Sequence, residues 1–434
     1  MRRIERLTPT DLINLYVESP SSPARVGALA LLDRPVELGM LRRRIADRVA
    51  GAPRLRQVVY RPGWLGGRPI WVDSPKFDVG RHVRSAVLPA GVRLTDFAVR
   101  LANRPFARDL PPWRIWLVTG LPDGSAALVF AMHHVVADGL TTIRMFAALA
   151  DDAPAVPAGR TLPRPTWVDL VRDNVARRLA GLRTLRRPSA TTFRQMAGLR
   201  NAPRTSLNGP VGAHRRLDAV TLDLDRAKET AHRHGAKVND VVLTLAAGGL
   251  RALLRSRSEP TDGVELHATV AVSVREAGAS DGGNRTGGLA IRVPLTADVH
   301  RRLEAIARET AEAKGGQAPT AGNALLIGLS RLGVLRWFSR RQRMINFMES
   351  DVTGPASPVR LLEATVLEVV PIGTVVGNMT IGFLAVSYAG RLVVAVQADA
   401  DRHPDLPVLL AAMRREADQL AIHADQVRHG RSAV

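Results

Sequence analysis

The 434-residue chain has no cysteine, which excludes disulfide frameworks, thiolate metal sites and a cysteine nucleophile. Any catalysis must use other side chains, and the redox compartment leaves no mark on the sequence. Lysine is almost missing too: Lys76, Lys228, Lys237 and Lys314 are the only ones, so the formal net charge of +21 is carried almost wholly by arginine. A field of that sign attracts polyanions, whether nucleic acid, anionic lipid headgroups or phosphorylated small molecules. Aromatic residues make up only 4% of the chain, and few of them fall among the arginine clusters. The stacking platforms of a single-strand binder are therefore lacking, and no nucleic-acid partner is expected. No run of purely apolar residues approaches the roughly 18 residues of a membrane span. The start Met1-Arg2-Arg3-Ile4-Glu5-Arg6 has no apolar core behind its charges, so a cytoplasmic protein is expected.

What is present suffices for two domains, since 46% of the residues are apolar. Residues 1–150 alternate short apolar runs with helical patterns, at Leu12 to Tyr16, Val26 to Leu32 and Leu41 to Val49, as in a mixed α/β unit. Asp151 to Pro165 shifts to proline, alanine and glycine and opens a crossover over 151–214. Within that crossover Trp167 to Arg187 reads as a basic amphipathic helix, and Leu325 to Met344 repeats the basic-apolar character. Such segments suit peripheral contact with an anionic membrane or a lipid body, and equally an ordinary helix with a solvated face. The second domain, 215–434, opens with a strand through Val220, Leu222 and Leu224, then a helix capped by Asp225 and ended by Gly235, then a long helix capped by Asn239. Val264 to Val274 alternates strictly as a strand. A glycine-rich loop, 282–288, leads to another strand at Leu289 to Val293, and Leu384 to Tyr388 and Leu392 to Val396 form a hairpin around Gly390.

The stretch Ala131-Met132-His133-His134-Val135-Val136-Ala137-Asp138-Gly139-Leu140 stands apart. Ala126 to Met132 reads as a buried strand after the turn Pro122-Asp123-Gly124, and Leu140 to Leu149 as an amphipathic helix, so the histidines lie on a strand-to-helix loop. Adjacent side chains on extended backbone diverge, so one histidine faces a cavity while the other holds the loop. Imidazole accepts and returns a proton near neutral pH, as transfer of an acyl group from a thioester to an alcohol requires, without an enzyme nucleophile. Asp138 is placed to fix the loop, with Arg275 a candidate partner. A metal site from His133, His134 and Asp138 is disfavoured because adjacent strand histidines diverge. Gly278-Ala279-Ser280-Asp281-Gly282 spells the hydrolase nucleophile pattern, but it lacks the strand and apolar helix that a nucleophile elbow needs.

These residues resemble the bacterial wax ester synthase/diacylglycerol acyltransferase family, within the coenzyme A-dependent acyltransferase superfamily that shares HHxxxDG. Beyond that motif the likeness runs through Leu7-Thr8-Pro9-Thr10-Asp11, Leu55-Arg56-Gln57, 77–83, Pro111-Pro112-Trp113, Leu207-Asn208-Gly209-Pro210, Val238-Asn239-Asp240, Ser273-Val274-Arg275, Gly283-Asn284 and Ser387-Tyr388-Ala389-Gly390. The resemblance implies a two-domain α/β fold like that of chloramphenicol acetyltransferase, each half a mixed sheet with packed helices, and an active-site tunnel between the halves. It implies that His134 is the base, with His133, Asp138 and Gly139 shaping its loop. Asn239 and Asp240 match a second motif near the site, while Trp113, Arg275, Asn284 and Tyr388 support fold and tunnel. No bound cofactor is implied; acyl-coenzyme A is a co-substrate, and a long-chain alcohol or diacylglycerol is the acceptor.

Three departures bear on the acceptor and the acyl length. The family's Pro-Leu-Trp is Pro111-Pro112-Trp113 here, its Ser-Asn-Val-x-Gly-Pro is Ser350-Asp351-Val352-Thr353-Gly354-Pro355, and the chain is somewhat short. The expected activity is O-acyl transfer yielding wax ester or triacylglycerol. The alternatives are a condensation-type or polyketide-associated acyltransferase with a carrier-bound donor, and a lipid-binding protein that kept the fold without turnover.

Overall fold

The computed structural model describes residues 4–136, 142, 143, 145, 148–153, 163–183, 201–273, 286–316, 329 and 333–422. The first half opens with α1 (Pro9–Val17), capped by the Thr8 hydroxyl and, reciprocally, by the Asp11 carboxylate on the Thr8 amide. Then follow β1 (Arg25–Leu32), α2 (Leu38–Val49), β2 (Gln57–Tyr60), the short α3 (Gly63–Gly66), β3 (Ile70–Asp73), the short α4 (Val79–His82), β4 (Val83–Val87), α5 (Leu94–Ala102), β5 (Trp113–Thr119) and β6 (Ala126–His133). After the crossover helix α6 (Trp167–Arg183) come β7 (Arg215–Asp223), α7 (Leu224–Arg233), α8 (Val238–Ser256), β8 (Glu265–Ser273), β9 (Thr286–Pro294) and α9 (Val299–Gly316). The chain then forms α10 (Leu335–Ser339), β10 (Phe347–Thr353), β11 (Arg360–Leu361), β12 (Ala364–Ile372), β13 (Ile381–Tyr388), β14 (Arg391–Asp399) and α11 (Leu406–Gln419).

Two six-stranded mixed sheets, with strand orders β11-β12-β1-β6-β5-β4 and β7-β14-β13-β10-β8-β9, carry twelve of these strands, and β2 pairs with β3 as a separate two-stranded sheet. β6 is central in the first sheet and buried along its whole length, which explains why it reads as a continuous apolar run. The turn before it is as expected, with Gly124 at φ 75 and Asp123 accepting from the Ser125 amide. The β13–β14 hairpin also forms where Gly390 at φ 79 permits the turn.

The 215–434 boundary does not match the sheets. β12, from the C-terminal half of the sequence, pairs antiparallel with β1, and its Val366, Val369, Val370 and Ile372 enter the first core. Alternation identifies a strand but not its partner, so this exchange is not legible in the linear pattern. Local caps differ as well. Asp223 rather than Asp225 caps α7, because Leu224 is already helical, while Gly235 at φ 61 follows its end as expected. α8 starts from Lys237, whose amide is taken by the Asp240 carboxylate at 2.8 Å, so Asn239 lies inside the first turn and is not the cap. Gly287 and Gly288 belong to β9 instead of a loop. Of Leu325 to Met344, residues 335–339 form a helix, whereas 325–328 and 330–332 lie outside the described residues, as do 137–141, 184–187 and the Gly278–Gly282 pentapeptide.

Candidate active site

β6 delivers His133 and His134 to its C-terminal end, where the chain turns. The His133 amide donates to Pro112 O and the His134 amide to Ala24 O, both at 2.8 Å, so both neighbouring segments hold the pair. His133 is buried. Its Nδ1 accepts from the Val135 amide at 3.0 Å, which places the ring proton on Nε2, 3.1 Å from Glu18 Oε2. Both ring nitrogens of His133 are thus engaged within the protein. Glu18 also lies 3.9 Å from the buried Arg25. Burial raises the Glu18 pKa, but the hydrogen bond and charge of His133, the Arg25 guanidinium and the Ala24 amide outweigh it and hold the carboxyl below its ordinary value.

His134 is half-buried on the turn beyond the strand, and its Nδ1 lies 3.3 Å from the Asn14 side-chain amide of α1. The segment backing it is bound to the second half: the Ser22 hydroxyl donates to Val375 O and the Arg215 guanidinium to Ser21 O. Val135 and Val136 share one core with Leu217, Val386, Tyr388, Val393 and Ala395 of the second half. The histidine turn therefore sits at the seam of the two halves. Glu18, Arg25 and Asn14 went unnoticed in the sequence because each lies more than a hundred positions from the histidine it serves, and a lone Glu or Asn at a helix end carries no spacing signal.

Asn239 and Asp240 meet other partners. In the amide orientation that satisfies its surroundings, Asn239 donates to both oxygens of Glu349 on β10, at 3.1 and 3.2 Å. Asp240 accepts from the Thr310 hydroxyl of α9 at 2.8 Å and from the Lys237 amide. The Glu349 carboxyl is fully buried. Burial lifts its pKa well above the usual range, with Asp351 and Asp240 adding to the rise against the Asn239 hydrogen bond and Lys314. Asp351, two residues on and on the same face of β10, is raised by burial to about 6.

Asp351 stands where the resemblance expects an amide, and its raised pKa sets a sign. Above about pH 6 the folded chain carries a half-buried carboxylate that the unfolded chain would solvate fully, and below an unfolded value of 3.8 both states are neutral. The shift of about two units corresponds to roughly 3 kcal/mol. Asp351→Asn is therefore expected to stabilise the protein by a few kcal/mol at pH 8, with the gain disappearing near pH 4. Urea denaturation at both pH values tests this, and equal gains at both would remove the titration of Asp351 as the cause.

Asp138, Gly139, Arg275 and Asn284 lie outside the described residues, and so does any Asp138–Arg275 pairing. Trp113 and Tyr388 are buried supports: Trp113 Nε1 donates to Leu55 O at 2.7 Å, and the Tyr388 hydroxyl accepts from the Val359 amide and donates to Val366 O. Among the described residues, no group of three or more histidine or acidic side chains is arranged to hold a metal.

Two packed α/β halves with a supported histidine at their seam make up the two-domain α/β fold of an acyltransferase. The model of the wax ester synthase/diacylglycerol acyltransferase catalytic domain matches residues 7–242, and that of the C-terminal domain matches 282–421. The chain belongs to the wax ester synthase/diacylglycerol acyltransferase family and is an O-acyltransferase. It is 29% identical over 443 residues to a putative diacylglycerol O-acyltransferase of Mycobacterium tuberculosis, covering 93% of this chain and 87% of that one. A probable diacylglycerol O-acyltransferase of the same species is 27% identical over 408 residues, covering 87% and 86%. In fold it is similar to the wax ester synthase/diacylglycerol acyltransferase from Marinobacter aquaeolei VT8, with a TM-score of 0.70 at 23% identity over 96% of this chain and 98% of that one. It is also similar to the first condensation domain of the CDA synthetase, with a TM-score of 0.62 at 18% identity over 96% of each chain.

Proposed function

We propose that the protein transfers a long acyl chain from acyl-coenzyme A to the hydroxyl of a diacylglycerol or a long-chain alcohol, with His134 as general base. The supporting observation is the division of labour in the histidine pair. His133 spends both ring nitrogens on Glu18 and Val135, so proton transfer falls to His134 at the seam. His134 takes the acceptor's hydroxyl proton as its oxygen attacks the thioester carbonyl. The tetrahedral adduct then expels the thiolate, which receives the same proton. No acyl-enzyme forms, and holding donor and acceptor together supplies much of the acceleration. Release of free coenzyme A from palmitoyl-coenzyme A, measured with hexadecanol, a diacylglycerol or no acceptor, tests the reading. Acceptor-dependent release ranks the two alcohols. Its absence with both would turn the search to carrier-bound donors.

The ester product, wax ester or triacylglycerol, is a lipid, and the crossover helix offers a surface to meet it. α6 docks through Leu170, through Asp173 on Arg6 at 2.6 Å, and through Asn174 on Leu65 O at 2.8 Å. Trp167, Val168, Val175 and Leu179 remain exposed, next to Arg172, Arg177 and Arg178, and Trp64 on the adjoining α3 is 78% exposed. No helix among the described residues is long and apolar enough to cross a membrane. This face is suited to lie on an anionic lipid surface, with the rings among the headgroups. Trp64→Asp with Val175→Asp is expected to weaken flotation with phosphatidylglycerol vesicles by at least about tenfold. Unchanged flotation would remove α6 as the contact.

A further inference from the structure

The register of the first sheet places a row of arginines on one face. On β6, Val129, Ala131 and His133 point to the same side, and their cross-strand partners are Trp116, Arg114 and Arg25, with Arg84 of β4 opposite Trp116. The segment after α5 lies over this face. Arg104 stacks on the Trp116 ring at 5.0 Å, Arg114 lies 5.6 Å from Trp116 and 5.8 Å from Phe106, and Arg25 lies 5.2 Å from Phe106. Stacking fixes the guanidinium planes, a preorganisation that suits recognition of phosphate.

Four guanidiniums gathered on one face repel each other, and Arg114 registers the repulsion. Its pKa is lowered by burial and by the charges of Arg84, Arg104 and Arg25. Arg25 has Glu18, whereas no carboxylate among the described residues pairs with Arg84, Arg104 or Arg114. Exposure is graded along the row, from exposed Arg84 and Arg104 through half-buried Arg114 to buried Arg25, whose acidic partner holds His133. Strand geometry puts the Arg114 and Arg84 backbones about 8 and 16 Å from that of His133, the last strand residue before His134. A pantetheine arm is comparable with about four extended residues, ~14 Å. A thioester at His134 would thus bring the phosphates at the far end of the arm into the reach of these long side chains.

We propose that Arg84, Arg104 and Arg114 bind the diphosphate and 3′-phosphate of the acyl-coenzyme A donor and orient its thioester toward His134. The assignment rests on the donor reading given above, and the two can fail separately. Each arginine lost should weaken donor binding by roughly tenfold. The test compares palmitoyl-coenzyme A with palmitoyl-N-acetylcysteamine, the same thioester without phosphates, in wild type, in Arg84→Glu/Arg104→Glu, in Arg84→Lys/Arg104→Lys and in the distant charge control Arg255→Glu. The ratio of the two KM values should rise by tenfold or more in the double glutamate variant, fall back toward wild type with lysine, and remain unchanged in the control. Added salt should shrink the difference. Direct binding of 3′-phospho-ADP should weaken in parallel. Equal changes for both donors, or none, would overturn the subsite and leave the donor reading standing. Loss of phosphatidylglycerol-vesicle binding with 3′-phospho-ADP binding intact would reassign the row to lipid headgroups. Wild-type turnover of the truncated ester without turnover of palmitoyl-coenzyme A would overturn the donor reading, and this assignment with it.

Discussion

His134→Ala is expected to lower acceptor-dependent coenzyme A release by about two to four powers of ten, the usual worth of a positioned general base. The loss should fall on kcat, because the imidazole acts as the oxygen attacks and holds little of either substrate. The fold should survive. The bond from the residue 134 amide to Ala24 O belongs to the backbone, and the half-buried side chain fills no core position. Thermal midpoints of mutant and wild type check that point. A fall of less than tenfold in a folded mutant would remove His134 as the base. His133 differs, since its removal would take a hydrogen bond from the half-buried Glu18 and leave the Val135 amide without its acceptor, so His133→Ala confounds stability with activity.

Glu416→Ala is expected to destabilise the protein by about 3–5 kcal/mol, the largest effect on folding foreseen here. Arg302 of α9 is fully buried, and its Nη2 lies 2.5 Å from Glu416 Oε2 on α11, with Thr244 and Thr296 carbonyls accepting its other donors. Gly248 of α8 makes room for the carboxylate, because a Cβ there would lie 1.8 Å from Glu416 Oε2. Burial raises the Glu416 pKa and Arg302 opposes it. The pair is thus held against a large desolvation cost, and removing the acid alone leaves a guanidinium charge in the second core without its counter-ion. Arg302→Met/Glu416→Leu should therefore be less destabilised than Glu416→Ala. Urea unfolding of single and double mutants measures the coupling, and simple additivity would show that the ion pair contributes nothing.

Legibility from sequence followed the range of the interactions. β6, its preceding turn, β8 and the β13–β14 hairpin were readable because burial period and turn residues are local properties. The histidine pair was readable because two imidazoles at the end of an apolar strand are unusual on any fold. The Asn239–Glu349 contact was not, since it joins a helix start to a strand more than a hundred positions away, and Asn239 alone looked like a cap. The caps missed at Asp223 and Lys237 were each displaced by two residues, within which several polar side chains compete for the same orphan amides.

The sequence by itself determined the class of chemistry, the two mixed α/β halves and the arginine excess, since these depend on residue identity and on periods of two and three to four. Tertiary structure alone decided that β12 crosses into the first sheet, that Glu18 and Val135 occupy both nitrogens of His133, and that arginines from four separate segments share one face. The physical reason is common to all three. Strand pairing, desolvation and charge proximity depend on distances through space, which a linear pattern does not encode until the chain has closed on itself.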